Sequence, residues 1–328
     1  MIVSKTPLRM SFIGGGSDLP AYYIKNKGAV ISTSIKKYVY IALHPKFDNN
    51  FRLSYSKTED VTHIKDIEHP LFRETLDFLE IKNGLEISSM ADIPSKGSGL
   101  GSSSSFTVGL LNALYAYKNI NPTKSMLAEQ ACNIEIIRCG EKIGKQDQYA
   151  ASFGGLNLIE FNQNGSVDVN PLNADIEFID EFEKNIIVFF TGITRKASSI
   201  LVQQSNYIKN SDTKTKILDK MVDLCYVFKN EVENNDIKNL GKILDENWNL
   251  KKSLVDKITN PIIEEIYSIA KNNGAAGGKL LGAGSGGFVM FIANPKYHDQ
   301  IRNKLSNLKE VNFKFDSFGS EIILNTNK

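Results

Sequence analysis

Apolar positions along this chain follow two rhythms. In the first half they come in short runs rich in β-branched and aromatic residues. AVISTSIKKYVYIAL (29–43) predicts a strand or hairpin, and GLEISSMADI (84–93), GGLNLIEFN (154–162) and KNIIVFFTG (184–192) predict further strands. Between them Phe106, Leu110, Leu114 and Tyr117 recur at helical spacing. Asn121-Pro122 reads as an N-cap followed by a first-turn proline and predicts a second helix through about Cys139. After residue 192 the helical rhythm takes over. Amphipathic stretches cover about 195–209, 213–234 and 236–255, with a fourth from Pro261 to Asn272. Glycine-rich sequence then returns in GAAGGKLLGAGSGGFVMFIA (274–293), and a helix (295–308) and a strand (311–324) close the chain. Strands grouped before helices predict an α+β fold rather than a regular βαβ alternation. The change of rhythm sets two domains, residues 1–184 and 185–328.

Composition narrows the function classes. With 328 residues, 41% hydrophobic and 23% charged, the chain can bury a sizeable core. A net charge of +2 gives no electrostatic case for nucleic acid or an anionic membrane as partner. MIVSKTPLRM lacks an apolar signal core and the longest apolar runs are strand-length, so the expected location is the cytoplasm. Cys132, Cys139 and Cys225 form no CxxC motif and are expected to be reduced.

Three glycine-rich loops carry the candidate chemistry. PSKGSGLGSSSSF (94–106) lies between a predicted strand and a predicted helix, where a flexible linker has no place. Glycines there let backbone N–H groups face a ligand, the helix start adds partial positive charge, and serines add donors, so the loop suits a phosphate. PLRMSFIGGGSD (7–18) runs a strand into three glycines and an acid, with Arg9 and Asp18 able to orient a polyhydroxyl compound. GAGSGG (282–287) matches GxGxxG, but a strand follows it where a dinucleotide fingerprint needs a helix. The surroundings of Lys279 do not make a Walker A loop either, since Leu280 stands where Ser or Thr is required.

Two acids stand out. Glu135 falls one turn after Ala131 on an apolar face, where an ionised carboxylate needs a partner, and a magnesium ion beside the phosphate loop would serve. Asp147, in the polar turn GKQDQY (144–149), could act as a proton acceptor.

Taken together and in this order, PLRMSFIGGGSD, PSKGSGLGSSSS and GKLLGAGSGGF, with Glu135 and Asp147 between, resemble the GHMP kinase superfamily over nearly the whole chain. TPLRMSFIGGGSDLPAYY, GKQDQYAASFGG and TGITRKASSIL are most similar to its sugar 1-kinase subgroup acting on D-glycero-D-manno-heptose 7-phosphate. The resemblance implies an N-terminal domain like ribosomal protein S5 domain 2, a ferredoxin-like C-terminal domain, ATP and Mg²⁺. It implies that Gly97, Ser98, Gly99, Leu100, Gly101, Ser102, Ser103 and Ser104 wrap the ATP phosphates, and that Ser103 and Glu135 hold the metal. Asp147 would take the proton of the sugar hydroxyl, with Arg9 beside it. Asp18, Gly15, Gly16 and Gly284 would border the sugar, and Lys145 and Arg195 are candidates for its phosphate, with Lys196 a further one. The pattern departs from the family in two places: Pro94 stands one residue further from the glycines than usual, and the first motif has a glycine run where galactokinases carry Glu-His, which argues against plain galactose. The implied partners are a small sugar phosphate and ATP, with a homodimer left open, and the implied setting is nucleotide-activated heptose for surface polysaccharide. A different sugar 1-kinase, for example one using L-fucose, is the alternative. A non-catalytic sugar sensor on the same fold would lack one of these acids or serines, and all are present.

Overall fold

The computed structural model describes residues 1–82, 84–93, 97–193, 198–255 and 258–326. The first sheet is assembled from β1 (Ile2–Ile13), β2 (Gly28–Pro45), β3 (Phe51–Ser54), β4 (Thr58–Val61), β5 (Leu85–Ala91), β6 (Leu156–Phe161) and β7 (Val167–Pro171). A second, four-stranded sheet holds β8 (Ile186–Phe190), β9 (Ala275–Leu280), β10 (Phe288–Ala293) and β11 (Lys309–Glu310), in the order β11-β8-β10-β9. Two late strands, β12 (Phe315–Asp316) and β13 (Glu321–Asn325), return to the first sheet and bring it to nine strands. The spine is β2, whose 18 residues form one strand rather than a hairpin. It pairs with β1 along one edge and with β6, β12 and β5 in succession along the other.

Helices cover both sheets: α1 (Pro20–Tyr23), α2 (Pro70–Phe78), α3 (Ser102–Tyr117), α4 (Lys124–Cys132), α5 (Gln146–Phe153) and α6 (Ile176–Lys184), then α7 (Ser198–Asn210), α8 (Asp212–Glu233), α9 (Leu240–Lys252), α10 (Pro261–Asn272) and α11 (His298–Lys304). α3 is the central one. It is buried on nearly every face, as a helix apolar all round must be. Leu110, Leu111 and Leu114 are wholly inaccessible, and each contributes about 1.5–3 kcal/mol by leaving water. Gly109 lets α3 lie against β1, because a Cβ there would come within 2.7 Å of Thr6 Oγ1.

Three local expectations change. The second helix starts at Lys124, not at Pro122, because Thr123 supplies the cap: its Oγ1 accepts the Met126 N–H at 3.1 Å. That helix also does not run through as regular α-helix, since Asn133–Arg138 is a π-helical stretch closed by Cys139 N–H to Ile134 O at 2.9 Å. The strand expected over 311–324 is split into β12 and β13, with Gly319 between them passing against the Ser152 carbonyl, where no side chain fits.

Candidate active site

The three glycine loops converge on one cleft of about 400 Å³. The serine loop sets its floor. Gly97, Gly99 and Gly101 have φ of +71°, +75° and +74°, a repeated left-handed turn that L side chains resist. It delivers the chain to the N-terminus of α3, where unpaired N–H groups and the helix dipole favour an anion. Gly97, Ser98, Gly99, Gly101, Ser102, Ser103 and Ser104 all line the cleft, whereas Leu100 is buried in the core.

The third loop supports this one backbone to backbone. A Cβ on Gly99 would meet Leu281 O at 2.4 Å, one on Gly282 would meet Gly99 Cα at 2.5 Å, and one on Gly287 would meet Ser98 O at 2.6 Å. Gly282 and Ala283 reach the cleft, while Gly284 packs against Ile258.

Arg9, on β1, joins the phosphate loop to α5. Its Nη1 donates to Gly99 O at 2.6 Å, its Nε donates to Asp147 Oδ1 at 2.8 Å, and its Nη2 lies 2.7 Å from the same oxygen. Both bonds fall on Oδ1, so Oδ2 is left facing Gly101. Asp147 belongs to the first turn of α5 rather than to a free turn, a position where helix dipole and acid agree.

Glu135 lies in the π-helical stretch and is 1% exposed. Ser103 Oγ and Ser104 Oγ donate to its two oxygens at 2.9 and 2.8 Å, and the Gln148 amide donates as well. Burial pushes its carboxyl up to about 7, with Asp147 adding to the rise and the three hydrogen bonds opposing it. One buried carboxylate flanked by hydroxyls beside a phosphate loop fits a magnesium ion, which takes few protein ligands and keeps phosphate oxygens and waters.

Asp18 and Lys251 occupy the other end, near Gly16 and Gln146. Asp18 accepts the Gly16 N–H at 3.0 Å and the Gln146 N–H at 3.3 Å, and burial, then the neighbouring Asp147, raises its pKa. Lys251, on α9, donates to Gly15 O at 2.9 Å, and burial lowers its pKa to about 8, with Asp18 opposing and Arg9 adding. Of the two further cations proposed from sequence, Lys145 turns out of the cleft. It donates to Gly165 O at 2.7 Å and sits over the Tyr23 ring. Arg195 lies outside the described residues, as does Lys196.

Sequence reasoning missed Gln148 and Lys251. Lys251 did leave a signal, for it falls in register with Leu240, Leu244, Asn247 and Trp248, the buried face of α9. A lysine on an apolar stripe needs a reason to be there.

A glycine-serine loop shaped for an anion, a carboxylate held by an arginine, and a buried acid next to the loop are an arrangement suited to phosphoryl transfer to a small molecule. The chain belongs to the GHMP kinases and is an ATP-dependent phosphotransferase: residues 65–155 match the GHMP kinases N terminal domain and residues 228–310 the GHMP kinases C terminal family. It is 33% identical to the D-glycero-alpha-D-manno-heptose 7-phosphate kinase of Campylobacter jejuni over 307 residues, 90% of each chain. A bifunctional fucokinase/GDP-fucose pyrophosphorylase of Arabidopsis thaliana is 24% identical over 94% of this chain, which spans 31% of that relative. The crystal structure of a D-glycero-D-manno-heptose 1-phosphate kinase from Bacteroides thetaiotaomicron superposes with a TM-score of 0.82 at 26% identity, covering 99% of both chains. Among the described residues no helix is long and apolar enough to cross a membrane.

Two outcomes follow from this geometry. Gly282→Ala has only backbone to displace, so it should cost about 1–3 kcal/mol in urea denaturation and raise KM for ATP. Lys251→Met tests the buried charge. Below pH 8 Lys251 is charged in both the folded and the unfolded chain, and its burial costs about 3 kcal/mol. Between pH 8 and 10.5 the folded form releases the proton first, so this cost fades as pH rises. After the lost bond to Gly15, the variant should be more stable at pH 7 by roughly 1–2 kcal/mol, with the gain shrinking toward pH 10. Tyrosines and cysteines titrating in that window are common to both proteins and cancel in the difference.

Proposed function

We propose that this kinase transfers the γ-phosphoryl group of ATP to the anomeric C1 hydroxyl of D-glycero-D-manno-heptose 7-phosphate, giving the 1,7-bisphosphate. The observation that carries the reading is the 33% identity, across 90% of both chains, to a kinase named for that substrate. The cleft agrees with it. The serine loop offers backbone N–H groups to the ATP phosphates, and Ser103 and Glu135 are the residues that would hold Mg²⁺. The metal, when bound, would supply positive charge to offset that of the ATP phosphates.

In the transfer step the C1 oxygen attacks the γ-phosphorus. The bond from phosphorus to the β–γ bridging oxygen breaks, its electron pair leaves with ADP, and the hydroxyl proton passes to Asp147. Oδ2 of Asp147 is the receiving atom, because Arg9 occupies Oδ1. Arg9 orients that carboxylate and places positive charge beside the developing alkoxide. Asp18 and Gly16 line the cleft where sugar hydroxyls would be oriented, with Gly15 just behind them. The product is an intermediate for nucleotide-activated heptose, made in the cytoplasm.

Phosphorus NMR with Mg-ATP and D-glycero-D-manno-heptose 7-phosphate, run beside unphosphorylated heptose and L-fucose, tests the acceptor. A new anomeric phosphate with the heptose phosphate is expected, and signal only with a free sugar overturns the substrate. Asp147→Asn should lower kcat by about 10²–10⁴-fold with the fold intact by circular dichroism. Near-normal turnover would remove Asp147 as the proton acceptor.

A further inference from the structure

The cleft has a charge problem. Its described carboxylates are Asp18, Glu135, Glu141 and Asp147, and its described cations are Arg9 and Lys251. Arg9 is committed to Asp147 and Gly99. A dianionic acceptor entering beside these acids needs a cation, and Lys251 is the one described lining residue with charge to give. Its ammonium is 4% exposed as a residue, forms no salt bridge within the described residues, and spends one of its three donors, on Gly15 O at 2.9 Å. A buried lysine so thinly partnered is costly to the free protein and favourable once a dianion sits against it.

The wall around it is also built for a polar occupant. Gln146 lines the cleft with its buried Oε1 lacking a partner among the described residues. Behind Gly16 lies Gln204, 1% exposed, with both amide atoms unpaired among the described residues, and so close that a Cβ on Gly16 would meet its Nε2 at 2.0 Å. Lys279 shows the contrast. It is equally buried, but it donates to Ser11 O at 2.7 Å and Phe12 O at 2.9 Å, and it does not reach the cleft. Lys279 ties β9 to the end of β1, whereas Lys251 borders open volume.

We propose that Lys251 is the specificity-determining cation of the acceptor site, pairing its ammonium with the phosphate already carried by a phosphorylated sugar. This rests on the sugar-kinase reading above and assigns to α9 a role expected from Lys145 and Arg195. It makes selection for a phosphorylated over an unphosphorylated sugar a property of the C-terminal half of the chain.

Steady-state kinetics with heptose 7-phosphate and with unphosphorylated heptose, for wild type, Lys251→Met and Lys251→Gln, decide it. Wild type should prefer the phosphorylated acceptor, and both variants should lose at least about 30-fold of that preference through KM for the sugar phosphate. KM for ATP and turnover of the unphosphorylated sugar should stay within about 3-fold, with melting temperatures no lower than wild type. A variant that keeps the preference overturns the assignment alone. So does an equal loss on both acceptors, or restoration by Gln, since either makes Lys251 a hydrogen-bond donor to hydroxyls. Wild type that turns over neither acceptor overturns the sugar-kinase reading, and this assignment with it.

Discussion

A guanidinium taken out of water must find all its partners inside the protein, and Arg9, 3% exposed, finds them on two separate segments. Its backbone N–H donates to Leu100 O at 3.0 Å while its side chain donates to Gly99 O, so one β1 residue holds two consecutive carbonyls of the serine loop. The remaining donors hold Asp147 on α5. Position 9 is itself fixed by its pairing with Ser34 on β2, the longest strand of the sheet. The loop, the Asp147 carboxylate and the sheet are therefore placed by one ion, and none can shift without exposing its charge to an unpaired state. Preorganisation of this kind is what phosphoryl transfer asks of a protein that does little covalent chemistry itself.

The glycines explain why that arrangement stays closed. Gly99, Gly282 and Gly287 allow main chain to lie against main chain between the serine loop and the third loop, at distances that exclude any Cβ. A run of glycine and serine is flexible in isolation. Here its alternating left-handed residues are pressed from one side by residues 281–287 and gripped from another by Arg9, so the composition of a linker yields a rigid cradle. The third loop acts through its backbone, which is why its GxGxxG match is not a dinucleotide fingerprint.

Much of this was legible in the sequence, for identifiable reasons. Helices α7 to α10 follow their apolar periodicity to within a few residues, because α8, α9 and α10 each bury one stripe against the sheets while α7 packs on α1 and α8. The glycine loops announced themselves by backbone chemistry that few other residues can supply. Proximity along the chain misled where tertiary packing decides. Lys145 neighbours Asp147 in sequence, yet the start of α5 sends its side chain to Gly165 and Tyr23. Glu135 was placed correctly on a buried face, but its π-helical turn depends on a closure that helix propensity does not encode. Lys251 lies more than a hundred residues from the nearest motif acid, on a helix that looks like ordinary packing until its face is matched to Gly15.

Several local rules fail together in one region of this protein. A buried lysine, two buried acids with raised pKa, and glutamine amide atoms unpaired among the described residues all gather around the first glycine loop and the cleft it borders. Each costs the free protein stability that an apolar side chain would not. Natural cores rarely carry such groups without protein partners, and a cluster of them beside open volume marks a place for a ligand. Burial alone does not mark the site, because Lys279 is as deeply placed and is satisfied by strand-end carbonyls. What separates the two lysines is unspent hydrogen-bonding capacity beside open volume, and by that measure the polar wall of the cleft extends from Asp18 across to Lys251 on α9.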